Sequence, residues 1–190
     1  SYMRLNPDAT ANNFLAMLQG PPTVYDSIKF VPADATGYVA SNLIDLPRLW
    51  KMAMDVLHSM PPEMSEHLFA GLEAIQTQFN INIEKDLFSW MGNELALINH
   101  GDTVWMPEAA AYPHLLVLIE TTNSAQASES LGRLAQLGTM LLATGGKMQM
   151  DWQTMNYSGV EIHTAEISGV LMEPGYAVTD KYALITTDSA

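Results

Sequence analysis

The chain has no cysteine, which excludes disulfides, thiolate zinc sites and cysteine nucleophiles together. It is also poor in positive charge: 8 Lys and Arg stand against 21 Asp and Glu, a formal net charge of -13. The cations (Arg4, Lys29, Arg48, Lys51, Lys85, Arg133, Lys147, Lys181) are scattered singly, whereas binding to phosphate-rich partners needs them clustered. Nucleic acid and anionic membrane surfaces are therefore not expected as partners. Long apolar runs are missing as well. A spanning helix needs roughly 20 apolar residues, and the longest candidate, 134–144, is interrupted by Gln136 and Gly138. No membrane insertion by this segment is expected. Charged residues of both signs make up only 15% of the chain and hydrophobic ones 48%, a balance that predicts a packed fold rather than a disordered chain.

What is present reads as alternating strands and amphipathic helices. Residues 1–30 read as a lead-in, with one apolar turn over 14–18 ended by Gly20-Pro21-Pro22. Residues 31–190 read as a single domain, an excised part of a longer protein. The run 37–43 is β-compatible. Pro47 suits the first turn of a helix, where its missing N–H costs nothing. Leu49, Trp50, Ala53, Met54, Val56 and Leu57 then recur at helical spacing up to the Pro61-Pro62 break. A second helix is predicted over 63–79, with Leu68, Leu72, Ile75 and Phe79 on its buried face. Residues 80–92 read as a loop and short helix stopped by Gly92. Strands are predicted at 94–99 and at 115–119, the latter apolar enough to be covered on both faces. The segment 103–113, with Trp105, reads as a loop. Asn123-Ser124 caps a helix over about 125–144, stopped by Gly145-Gly146. Strands at 148–156, 160–166 and 176–186 follow, with turns at Ser158-Gly159 and near Asp180-Lys181.

Adjacent strands are too frequent for a doubly wound sheet. The expected fold is α+β, an antiparallel or mixed sheet with helices packed on one face. The pieces 37–60 and 115–142 share a strand–helix pattern that reads as an internal duplication.

A search for chemistry finds few candidates. None of His58, His67, His100, His114 and His163 lies in a zinc-binding spacing. Glu63 and His67 sit one helical turn apart, as a solvated helix pair does. Glu161 and His163 alternate along a strand and share a side, which a solvent-facing row explains. Ser89 lacks the glycines of a nucleophile elbow. Gly145-Gly146-Lys147 follows a helix and lacks phosphate-loop spacing. Asn156-Tyr157-Ser158 is a glycosylation sequon of a kind frequent by chance. The 13 methionines read as core filling, although Met52, Met54, Met60 and Met64 cluster and Met148 and Met150 alternate. No catalytic, cofactor-binding or metal-ligating residue is assigned, and no cofactor is expected.

Several stretches resemble an uncharacterised bacterial family, domain of unknown function 3352. Pro32-Ala33-Asp34-Ala35-Thr36-Gly37-Tyr38-Val39-Ala40 is similar to its opening "P-A-D-A-x-x-Y-V-A" strand. Residues 86–97, Asp-Leu-Phe-Ser-Trp-Met-Gly-Asn-Glu-Leu-Ala-Leu, resemble its "D-L-x-S-W-x-G-x-E-x-A-L" core. Residues 157–162 and 176–180 are similar to its "Y-x-G-V-x-I" and "Y-A-V-x-D" strands. The resemblance implies an extracytoplasmic protein, periplasmic or on the cell surface, and carries over no catalytic residue. The leading expectation is a non-catalytic envelope domain acting through protein contacts or as a scaffold. The alternative is a binding module for a small apolar or lipid-like ligand, held between helix and sheet. A hydrolase with dispersed catalytic residues is the remaining class. A cavity above roughly 300 Å³ favours the ligand binder, and a convergent nucleophile–base pair favours the enzyme.

Overall fold

The computed structural model describes residues 24–42, 46–100, 114–144, 148–169 and 172–188. The apolar turn at 14–18, the Trp105 segment and the Gly145-Gly146-Lys147 stop lie outside them. The described chain opens with a short 3-10 turn, Asp26–Phe30, and runs through β1 (Ala35–Ser41), α1 (Leu46–Ser59), α2 (Pro62–Phe79) and a π-helical turn (Ile83–Phe88). Next come β2 (Met91–His100), β3 (His114–Thr121), α3 (Ser124–Thr144), β4 (Met150–Tyr157), β5 (Val160–Ile167), β6 (Gly175–Val178) and β7 (Tyr182–Thr186). Among the described residues, seven strands form one antiparallel sheet in the order β1-β2-β3-β7-β6-β5-β4. The fold is α+β. Two hairpins fold back where the sequence asks for turns. Ser158 and Gly159 both adopt positive φ, as a two-residue hairpin turn requires.

Side chains alternate between the two faces of the sheet, and the two faces have different covers. On one face, Trp90, Ile119 and Ala183 are buried with Ala127 and Leu131 of α3. This is the helix face. Asn123 starts α3 by accepting a hydrogen bond from the Gln126 N–H at 3.1 Å, the N-cap arrangement expected of Asn. On the other face, Ala96, Ile98, Leu118 and Tyr182 are buried beneath Phe30 and Val31 of the leading segment. This is the strap face. β3 therefore has Leu118 buried on one side and Ile119 on the other, which accounts for its unbroken apolar run.

Two local expectations are corrected. Gly92 does not stop a helix; it lies inside β2. A Cβ there would meet Cγ of Glu120 at 2.8 Å, so glycine is needed because Glu120 crosses over it. The strand register shifts between Met91 and Leu95. In that bulge the N–H groups of Asn93 and Glu94 both donate to Oε2 of Glu120, at 3.1 and 3.2 Å. The buried stripe of α2 keeps Leu72 and Phe79, both half-buried, but not Leu68. Ser65 is buried and Phe69 half-buried, whereas Leu68 is 52% exposed. Phe69 meets the His58 ring of α1 at 4.8 Å. α2 packs chiefly on α1, so its stripe faces a neighbouring helix rather than the sheet.

Candidate functional site

The residues of the central motif do structural work. The π-helical turn is closed at its start by reciprocal bonds. Asn82 Oδ1 accepts from the Lys85 N–H at 2.8 Å, and Asp86 Oδ2 accepts from the Asn82 N–H at 2.7 Å. Trp90 follows, 1% exposed. Its indole N–H donates to the Asp86 carbonyl at 3.0 Å. Its own carbonyl accepts from Thr121 Oγ1, Thr122 Oγ1 and the Thr122 N–H. The ring is thus a plug between the turn, β3 and α3, and both of its polar ends are satisfied, as a buried tryptophan requires. Ser89 belongs to the same joint: it donates to the Lys85 carbonyl and accepts from Gln126.

Glu94 is buried, 6% exposed, and fastens the strap. Its carboxylate accepts from the Ser27 N–H at 2.9 Å and from the Tyr182 hydroxyl at 2.7 Å. The Ser27 hydroxyl in turn lies 2.7 Å from that of Tyr38. Burial by itself would push the Glu94 carboxyl up. The bonds from Ser27 and Tyr182 outweigh it and hold the group below its usual value. The Tyr182 hydroxyl is pushed up, by burial and by its bond to this anion. At the outer end, Asp26 bridges Lys181 at 2.5 Å and Lys29 at 2.9 Å. These hydrogen bonds, Lys181 first, hold Asp26 at about 2.

The strap covers only half of its face. Read through the strand registers, Ala96, Leu118, Leu184, Ala177, Ile162 and Met155 form one row across the sheet. Ala96 and Leu118 are 0% exposed beneath the strap, while Met155 at the far end is 58% exposed. The uncovered part of the row, with Leu116, Thr164, Thr186 and Pro32 of the strap, bounds an open-sided groove of about 420 Å³. At one end of it His114 Nδ1 lies 2.8 Å from Asp188 Oδ2. This groove is the candidate site. Sequence reading did not find it, because its floor is assembled from cross-strand registers that no single strand reveals. It also lies on the strap face, away from α3, and not between helix and sheet.

The sequence candidates are dispersed. Glu63 and His67 are exposed on α2. His58 bonds to the Met54 carbonyl. Met64 is 60% exposed, and the Sδ of Met150 accepts a weak bond from Thr139. Asn156 of the sequon accepts from the Gly159 N–H within the hairpin. Glu161 and His163 do share a side, with a carboxylate–imidazole distance of 4.0 Å. His163 is more than a solvent-facing residue: its ring stacks on Tyr176 at 4.5 Å, and its Nδ1 lies 3.0 Å from Thr154 Oγ1. Among the described residues, no three His, Asp or Glu side chains converge as a metal-binding group, and no helix is long and apolar enough to cross a membrane.

A family model described as Protein of unknown function (DUF3352) matches residues 18–190. The chain belongs to this family. No curated protein and no solved structure matches it. The DUF3352 motif over 86–97 is thus accounted for in this chain by packing: a tryptophan plug, a glycine that admits Glu120, and a glutamate that ties down the strap.

Proposed function

We propose that this DUF3352 domain is a non-catalytic binding module of the bacterial cell envelope that works through protein contacts, with the open groove of the strap face as its contact surface. One observation carries the reading: the same apolar row is sealed over β2 and β3 and left open over β6, β5 and β4. Apolar surface withheld from a domain's own core contributes nothing to folding but favours association when a partner covers it. The groove is open along its side and bounded by strands, so it suits an extended apolar segment of a partner protein.

A second reading has its own support. A volume of about 420 Å³ lies within the range of small-molecule pockets, which favours a small apolar or lipid-like ligand. An enzyme is the weakest reading. Thr154 and His163 form a hydroxyl–imidazole pair, but the pair stands on the exposed edge of the sheet, whereas acyl transfer depends on a water-excluded site with preorganised donors.

Photo-crosslinking tests the proposal. A photoreactive side chain at Met155 is expected to give a discrete adduct with a protein other than this chain in envelope fractions, and the same group at exposed Val39 on the other face is expected to give none. Adducts with lipid alone would move the assignment to the second reading. Equal labelling from both positions would contradict the groove as a contact surface.

A further inference from the structure

We propose that β4 is a homotypic docking edge, through which two copies of this chain pair antiparallel to make one continuous sheet. The proposal rests on the backbone of the last strand and is independent of what the groove binds. β4 closes one side of the sheet and is paired along its whole length with β5, without a register shift. Edge strands are normally blunted by lysine, proline, bulges or a cover. β4, with the sequence Met-Asp-Trp-Gln-Thr-Met-Asn-Tyr, has no lysine and no proline, and residues 153–157 are all exposed. β1, at the opposite edge, does carry a shift between Ala35 and Gly37.

The direction of the free backbone groups follows from the ladder. The Ser168 N–H donates to the Gln149 carbonyl at 2.9 Å, one step beyond the Met150–Ile167 pair in the same register. Hydrogen-bonded and non-bonded pairs alternate in an antiparallel ladder. Asp151, Gln153, Met155 and Tyr157 therefore bond inward to β5, and the N–H and C=O groups of Trp152, Thr154 and Asn156 point outward. An outward row of this kind is self-complementary about a two-fold axis.

Centring that axis on Thr154 sets Thr154 opposite the partner's Thr154 and Trp152 opposite the partner's Asn156. On the strap face, Gln153 meets the partner's Met155 and Asp151 meets the partner's Tyr157. No carboxylate of one β4 faces a carboxylate of the other, and threonine opposite threonine is a favourable cross-strand pair. Met155 and Tyr157, 58% and 72% exposed, gain cross-strand neighbours, and the two apolar grooves lie side by side on one face. The net charge of -13 on each chain opposes the approach, so association should strengthen as salt is added.

Sedimentation velocity on the chain from micromolar to about millimolar concentration tests this. The wild-type chain should shift from monomer to dimer across that range. Thr154→Pro removes an outward N–H that no partner among the described residues uses, and the proline should hold the chain monomeric. Thr154→Asp and Thr154→Lys, which leave the backbone intact, should each be monomeric because they place like charges across the axis, and an equimolar mixture of the two should dimerise. A wild-type chain that stays monomeric at about 1 mM would overturn the proposal. So would a folded Thr154→Asp or Thr154→Lys chain that dimerises as wild type does, or a mixture that fails to restore the dimer.

Discussion

The two halves of the strap face are built from the same kinds of residue and differ in what lies on them. Over β2 and β3, Ala96, Ile98 and Leu118 are 0% exposed under Phe30 and Val31. Over β6, β5 and β4, the continuation of the same row ends in a methionine 58% exposed. The difference is set by one short segment. The strap reaches only as far as its fastenings, Ser27 on Glu94 and Asp26 on Lys181. Hydrophobicity along the strands therefore does not by itself identify the core; the polar ties that position the cover do. The covered half holds the fold, and the open half is surface available for contacts.

The largest effect that would sharpen this contrast is expected at Trp90. Trp90→Ala removes the plug joining the π-helical turn to β3 and α3, and a buried tryptophan lost in this way costs roughly 3–5 kcal/mol. Urea melts should show a large fall in midpoint. A wild-type midpoint would mean that the plug is not part of the core. Next comes the strap fastening. Glu94→Gln keeps the shape but removes the charge that accepts two buried hydrogen bonds, a change worth about 1.5–3 kcal/mol.

The pH dependence of that fastening has a definite sign. The folded state holds the Glu94 carboxyl below its ordinary value of 4.5, so the unfolded chain binds that proton more readily. The contribution is complete above 4.5 and is lost as the pH falls through the lowered value. Melts between pH 7 and pH 3 should show an acid-side loss that is smaller in Glu94→Gln. An identical loss in both proteins would place the acid sensitivity elsewhere.

Gly92→Ala should cost less, about 1–3 kcal/mol, by pressing a methyl group against Glu120 in a packed bulge. The flexible carboxylate chain can swing away, but only by releasing the N–H groups of Asn93 and Glu94. A neutral result in denaturant melts would show that those bonds contribute little. The smallest effect belongs to the open half. Met155→Ser should stay within about 0.5 kcal/mol of wild type, as surface changes do. A drop as large as that of Gly92→Ala would show that the groove is part of the core.

Most elements were legible in the sequence because their signals are local. The continuous apolar run of β3, the Asn123 cap of α3 and the Ser158-Gly159 turn each depend on a few neighbouring residues. Trp90 was legible as a buried anchor because its size and place leave few alternatives. Gly92 was misread because its reason is Glu120, 28 residues further along the chain and across the sheet. Leu68 was misread because α2 packs mainly on α1, so the direction of its stripe is set by tertiary contact and not by propensity. The groove was not legible at all. Its floor joins β3, β7, β6, β5 and β4 through registers, and its limit is set by where the strap ends.

The measurement that bears most directly on this division is crosslinking yield from Met155 in an Ala177→Trp background, taken with the melting midpoint of the same protein. Ala177 stands in the floor of the groove, so an indole there fills the contact surface while leaving the strap, Trp90 and Glu94 untouched. The account predicts that the adduct with a protein other than this chain disappears and the midpoint stays at the wild-type value. An undiminished adduct, or a midpoint that falls as far as that of Trp90→Ala, would contradict it.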